Sequence, residues 1–211
     1  MEVIKIETGM HPENAYLVIK ENKETLVVDP GADFNKIEKV IVENELKPVA
    51  VVLTHAHYDH IGAVDKVRHT YHIPVFMHQL EADFLTDASK NLSIYHMPFT
   101  VEKADVLLSK MGKITIEGFN CRIEHVPGHS PGSIVYLFED EGFAVIGDTL
   151  FKGGCGRTDL PYSSNHTELM NGINAHLMTL PDDTVLYSGH GDTTTVRYER
   201  QYNPYLNGVT R

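Results

Sequence analysis

The stretch Val49–Ala63, VAVVLTHAHYDHIGA, runs from an unbroken apolar segment straight into His55, His57, Asp59 and His60. The apolar half reads as a buried strand. Polar groups gathered at its end cost free energy unless they are solvated or paired. With 13 His and 13 Asp among 211 residues, random placement would produce His-x-His-x-Asp-His somewhere in the chain with a probability of about 0.003. Neutral imidazoles packed together need hydrogen-bond partners, and several protonated ones would repel. A divalent cation satisfies imidazole nitrogens and carboxylate oxygens at once, so the cluster reads as metal-binding.

Working outward, the segments before this stretch predict a three-strand meander: EVIKIE, AYLVIK and TLVVDPGAD, the last stopped by Pro30 and Gly31. Asp33 is a candidate N-cap for a helix in DFNKIEKVIVENELK, where Phe34, Ile37 and Ile41 share a face. After the histidines, Ile61, Val64, Val67 and Tyr71 predict a second helix, and HIPVFMH a strand. The weakly patterned EADFLTDASKNLSIYHMPFT reads as a short helix followed by a loop. NCRIEHVPGH, SIVYLFED, GFAVIGDT and DTVLYSGH read as strands, and Leu169, Ile173 and Leu177 mark a helix in NHTELMNGINAHLMTL. Strands alternating with helices, with no linker, low-complexity tract or repeat, imply one α/β domain over residues 1–211.

The strand ends repeat the chemistry of the opening stretch. RIEHVPGHSPGS delivers His129, FAVIGDT delivers Asp148 and TVLYSGH delivers His190, each where an apolar run gives way to glycine. Layered α/β sheets bring such ends to one edge, where their sites commonly lie. Five histidines and two aspartates exceed the four ligands of a closed structural zinc site. They suit two metals that share a carboxylate and keep room for water, which argues for catalysis.

Composition narrows the alternatives. A formal net charge of -11, with no basic patch, disfavours wrapping a phosphate backbone. No apolar run approaches the ~20 residues of a membrane helix. The N-terminal MEVIKIETGM reads as a strand and not as a signal peptide, and Cys121 and Cys155 are too few for a disulfide framework. The expected setting is therefore a reducing cytoplasm, with neither membrane nor nucleic acid as partner.

The ordered set THAHYDH, GHSPGS, GDTLF and SGH, with NAYLV and VVDPG near the N-terminus, resembles the metallo-β-lactamase superfamily, and within it the short bacterial glyoxalase II-like hydrolases. The resemblance implies a four-layer αββα sandwich and two divalent transition-metal ions, zinc first, with iron or manganese equally suited to these ligands. His55, His57 and His129 would hold one ion, Asp59, His60 and His190 the other, and Asp148 would bridge them. A metal-bridging hydroxide, oriented by Asp59, would attack a small-molecule thioester and release a thiolate. Asp148 stands where one large subclass of metallo-β-lactamases uses a cysteine, which argues against a penicillin-type hydrolase of that kind.

In GCGRTDLP, Arg157 takes the place of a lysine that meets a glutathione carboxylate in glyoxalase II; its plainer role is a salt bridge to Asp159. Asp192 replaces a tyrosine that contacts the thiol there, and only about twenty residues follow His190, too few for the C-terminal helical domain of those enzymes. The thiol carrier is thus left open. GCGRTD also resembles persulfide dioxygenases with one iron, the alternative reading; a nuclease or a lactonase ranks lower. His11, His69, His72, His78, His96, His125, His166 and His176 lack the strand-end context and are read as structural, and Cys155 as no nucleophile.

Overall fold

Seven consecutive buried residues, Glu13–Ile19, form the second strand of the chain, and its apolar side chains anchor the first sheet. The computed structural model describes residues 1–208. These fall into two compact units, Met1–Ser109 and a second beginning at Lys110.

In the first unit, β1 (Glu2–Thr8), β2 (Glu13–Ile19) and β3 (Glu24–Val28) make the expected antiparallel meander. Then β4 (Lys47–Val52), β5 (Val75–His78) and β6 (Val106–Leu108) add on in order, each parallel to its predecessor. Parallel neighbours need crossovers. These are α1 (Phe34–Glu43) between β3 and β4, and α2 (Tyr58–Ile61) with α3 (Val64–Tyr71) between β4 and β5. Ile37 and Ile41 of α1 and Val64 and Val67 of α3 are buried in one core with Leu17, Val27, Val51 and Val75.

Asp33 occupies the N-cap position of α1, yet its side chain caps nothing. Its Oδ2 accepts from Gly9 N at 2.9 Å and pairs with Lys36 Nζ at 2.9 Å, which holds its carboxyl below the ordinary range, Lys36 first and Gly9 second. The helix expected in 81–100 is absent: 3₁₀ turns at Gln79–Glu81 and Ser93–Tyr95 bracket a chain of tight turns. Asp87 accepts from Ser89 N and Oγ, and Asn91 and Ser93 both donate to Phe99 O. Short polar side chains have taken the backbone groups a helix would use.

The second unit orders its sheet β14-β13-β10-β9-β8-β7. The strands are β7 (Gly112–Ile116), β8 (Phe119–His125), β9 (Ile134–Phe138), β10 (Phe143–Gly147), β13 (Val185–Ser188) and β14 (Thr194–Thr195). All pairs are antiparallel except β10 with β13, so β8, β10 and β13 run in one direction. A small hairpin, β11 (Leu150–Phe151) with β12 (Gly154–Cys155), lies between. Helix α4 (His166–Gly172) passes into a π turn at Ile173–Leu177, and α5 (Val196–Tyr202) follows β14. The single helix expected at 165–180 is thus divided, although Leu169, Ile173 and Leu177 all reach the core as their spacing predicts. Both cysteines are free thiols. Among the described residues no helix is long and apolar enough to cross a membrane.

Candidate metal centre

In the first unit the candidate ligands follow the C-terminal end of β4. The chain leaves the sheet at Val52, carries His55 and then His57, the latter on extended backbone, and turns into α2, which holds Asp59 and His60. His55, His57 and His60 are all buried. Their rings crowd together: His55 and His57 centroids lie 4.7 Å apart, His55 and His60 4.1 Å. Asp59 Oδ2 lies 3.9 Å from His60 Nε2.

A buried aspartate behind them sets their protonation. Asp29, directly after the parallel neighbour β3, has φ 43, a left-handed backbone that non-glycine residues seldom adopt. Its Oδ1 accepts from Thr54 N at 2.8 Å, and its Oδ2 accepts from Thr54 Oγ1 at 2.6 Å and from His60 Nδ1 at 3.0 Å. Because the Thr54 hydroxyl proton is committed to Asp29, Thr54 Oγ1 can only accept from His55 Nδ1, 3.0 Å away. Both imidazoles therefore carry their proton on Nδ1 and leave the Nε2 lone pair for a metal. Asp29, His55 and His60 can also gather ligand atoms within 4.8 Å of one another.

Two more acids support the loop. Glu81, fully buried beyond β5, accepts from Ala56 N at 2.6 Å and pins the backbone between His55 and His57. Glu13 stands 3.7 Å from His60 Nδ1 and accepts from Thr8 Oγ1 at 2.8 Å. Burial pushes its carboxyl well above the ordinary range, partly offset by His60.

In the second unit, three candidates leave three strands that run the same way. His129 follows β8, Asp148 directly follows β10, and His190 follows β13. Asp148 Oδ2 lies 3.4 Å from His129 Nε2 and 3.5 Å from His190 Nε2, so one carboxylate oxygen serves two imidazoles. His129 Nδ1 donates to Arg157 O at 2.9 Å, which again leaves Nε2 for a metal. The Arg157 guanidinium is exposed and forks onto Asp159, Nε to Oδ1 at 2.9 Å and the second nitrogen to Oδ2 at 3.0 Å. Lys152 Nζ meets Asp192 at 3.1 Å. Burial pushes the Cys155 thiol up to about 11, so it is not a ready nucleophile at neutral pH.

Sequence reasoning named His55, His57, Asp59 and His60, which the first unit gathers, and His129, Asp148 and His190, which the second gathers. It passed over Asp29, Glu13 and Glu81. Asp29 carried the same signal as the others, since VVDPG also ends an apolar run in a proline-glycine turn. Glu81 had no such signal: its role depends on β5 lying beside β4.

Comparison with known proteins identifies the family. Residues 8–190 match the Metallo-beta-lactamase superfamily model. The chain is 43% identical over 208 residues to the probable metallo-hydrolase YqgX of Bacillus subtilis (strain 168), covering 98% of each. It is 32% identical to the hydroxyacylglutathione hydrolase GloC of Haemophilus influenzae, covering 98% of this chain and 99% of that one. The crystal structure of the B3 metallo-beta-lactamase BLEG-1 superposes with a TM-score of 0.95 at 40% identity, over 98% of this chain and all of that one. That of TTHA1623 in a di-iron-bound form superposes with a TM-score of 0.85 at 31% identity, covering 96% of this chain and 100% of that one. The expected metallo-β-lactamase fold is therefore the fold of this protein, and the chain belongs to the metallo-beta-lactamase superfamily as one of its metal-dependent hydrolases.

Proposed function

We propose that the chain hydrolyses small-molecule thioesters, with a binuclear transition-metal centre, zinc first, as its cofactor. His55, His57 and His129 would bind one ion, Asp59, His60 and His190 the second, and Asp148 both. The observation that carries this reading is the proton placement at His55, His60 and His129, each donating through Nδ1 so that Nε2 is offered as a ligand. Imidazole nitrogen and carboxylate oxygen together suit zinc, iron and manganese. Two such ions would supply an activated water and polarise the acyl carbonyl.

The remaining roles fall to the chain. Asp59, on the first turn of α2, orients the attacking water. Asp29 and Arg157 O keep their histidines in the tautomer that ligates. A thiolate leaves without a strong general acid, so no protein acid is assigned to it. Arg157 is the proposed contact for a carboxylate on the thiol carrier, and recognition there means exchanging Asp159 for the substrate's carboxylate. The likeness to GloC supports a thioester, and TTHA1623 supports two ions.

Metal content after purification without added metal, together with turnover of thioesters, a β-lactam and a glutathione persulfide, tests the proposal. About two ions per chain with thioester turnover is the expected result. His60→Ala should lower thioester turnover at least 100-fold while keeping part of the metal. Arg157→Ala should raise KM about 10-fold for acidic thioesters alone, the equivalent of ~1.4 kcal/mol. Oxygen consumption matching persulfide turnover, with thioesters untouched, would overturn the hydrolase reading in favour of a mononuclear iron oxygenase.

A further inference from the structure

The C-terminal helix buries a carboxylate that no part of the proposed chemistry uses. Glu199 of α5 is fully buried, and so is Asn203 just beyond the helix. Among the described residues no cation pairs with Glu199: it accepts from Gly153 N at 3.3 and 3.1 Å, from Thr194 Oγ1 at 2.5 Å and from Asn203 Nδ2 at 2.7 Å. Asn203 Nδ2 also donates to Gly154 O at 3.0 Å. Burying an ionisable group among neutral donors is costly, and one that persists holds its partners by strong charge-assisted bonds. One of these partners, Gly153 N, lies in the turn of the β11–β12 hairpin, and another, Asn203, extends the contact to Gly154.

That hairpin is the backing of two candidate ligands. Past β12 the chain returns beneath Asp148 and His129 at Gly156, where a Cβ would stand 2.0 Å from Asp148 O and 3.1 Å from His129 Cβ. Gly156 N donates to Thr149 O at 3.3 Å, beside Asp148, and the next residue, Arg157, supplies the carbonyl that accepts from His129 Nδ1 at 2.9 Å. A path of bonded contacts thus runs from Glu199 through Gly153 and Gly154, along β12, to the atom that fixes the tautomer and direction of His129.

We infer that Glu199, with Asn203, is a positioning residue for the metal held by His129 and Asp148: α5 clamps the turn of the β11–β12 hairpin so that its returning strand presents Arg157 O to His129. The inference rests on the proposed function only in taking His129 and Asp148 as ligands.

The test is metal affinity, read by competition with a chromophoric chelator on the full chain, with the visible absorption of the cobalt-substituted protein as a second readout. Glu199→Gln puts an amide N–H opposite donors and should weaken binding of one ion about 10-fold, at the lower end for an outer-shell partner. The cobalt bands should shift with it. Arg200→Ala is the control, because Arg200 ties the same helix to Leu180 O and Asp182 without touching the hairpin. It should lower thermal stability and leave both readouts at wild-type values. Equal metal affinity and identical cobalt bands in Glu199→Gln and wild type would overturn the inference. So would an equal loss in Arg200→Ala, which would reduce α5 to general support. Should Glu199→Gln fail to fold, Asn203→Ala releases Gly154 O and is read by the same criteria. A wild-type protein that binds one ion would count against the binuclear reading, while the ratio between variant and wild type would still decide the role of Glu199.

Discussion

Asp29 orients two candidate ligands through one carboxylate: it accepts the hydrogen bond from His60 Nδ1 directly and commits the Thr54 hydroxyl, which then accepts from His55. Asn in its place would turn an N–H toward a donor either way: toward Thr54 N if its oxygen replaces Oδ2, or toward the Thr54 hydroxyl and His60 Nδ1 if its oxygen replaces Oδ1. We therefore expect Asp29→Asn to lower metal affinity about 10- to 100-fold, the usual cost of losing the partner behind a ligating histidine. Chelator competition measures this directly. Wild-type affinity in that variant would show that His55 and His60 do not need the tautomers assigned to them. At this scale the candidate ligands themselves were legible, because histidine and aspartate at the ends of apolar runs are costly without a metal. What stands behind them was not. Glu81 reaches Ala56 N across 25 positions of sequence, and only the pairing of β4 with β5 brings them together.

Among the elements, the turn that follows β8 is tightly constrained. Gly128 has φ +140, and a Cβ there would lie 2.4 Å from Leu169 Cβ and 2.8 Å from Leu169 Cα, on the first turns of α4. Gly128→Ala must push α4 away or bend the turn that presents His129. We expect a loss of about 2 kcal/mol or more in stability, accompanied by weaker metal binding. Thermal unfolding with and without zinc checks both at once, and a variant as stable as wild type would show that α4 yields easily. Nine of the strands were readable because alternation and apolar runs bounded by glycine and proline are local signals, while β6, β7, β11, β12 and β14 are short or mixed in pattern and went unread. The helices were less so. α4 keeps its apolar spacing yet ends at Gly172, where a Cβ would meet Val126 Cγ1 at 2.7 Å, and the chain continues as a π turn. α5 went unread, since its decisive residues, Val196 and Glu199, are buried by contacts made elsewhere in the chain.

For the molecule as a whole, the proposed metals are part of the stability as well as the chemistry. A ligand at about 100 times its dissociation constant adds about 2.7 kcal/mol to the native state. For a chain of this size that corresponds to a rise of roughly 5–10 °C in melting temperature. Treatment with a strong chelator should lower Tm by about that amount and abolish thioester turnover, and added zinc should restore both. A chelated protein with unchanged Tm and full activity would remove the metal from the account altogether.

The sequence by itself determined the candidate ligands, the α/β class and nine of the strands, because each rests on residues adjacent in the chain. His-x-His-x-Asp-His needs no fold to be recognised as a cation site, and His129, Asp148 and His190 announce themselves by the same context. Tertiary structure alone decided how those ligands are held. Which ring nitrogen carries the proton depends on the acceptor opposite it. Those acceptors, Asp29 for His60 and Arg157 O for His129, lie 31 and 28 positions away. A buried carboxylate such as Glu199 finds its donors only after the β11–β12 hairpin, β14 and α5 have packed. Local patterns report what a residue is able to do. Its proton, its direction and its support are settled by neighbours that the chain brings together only by folding.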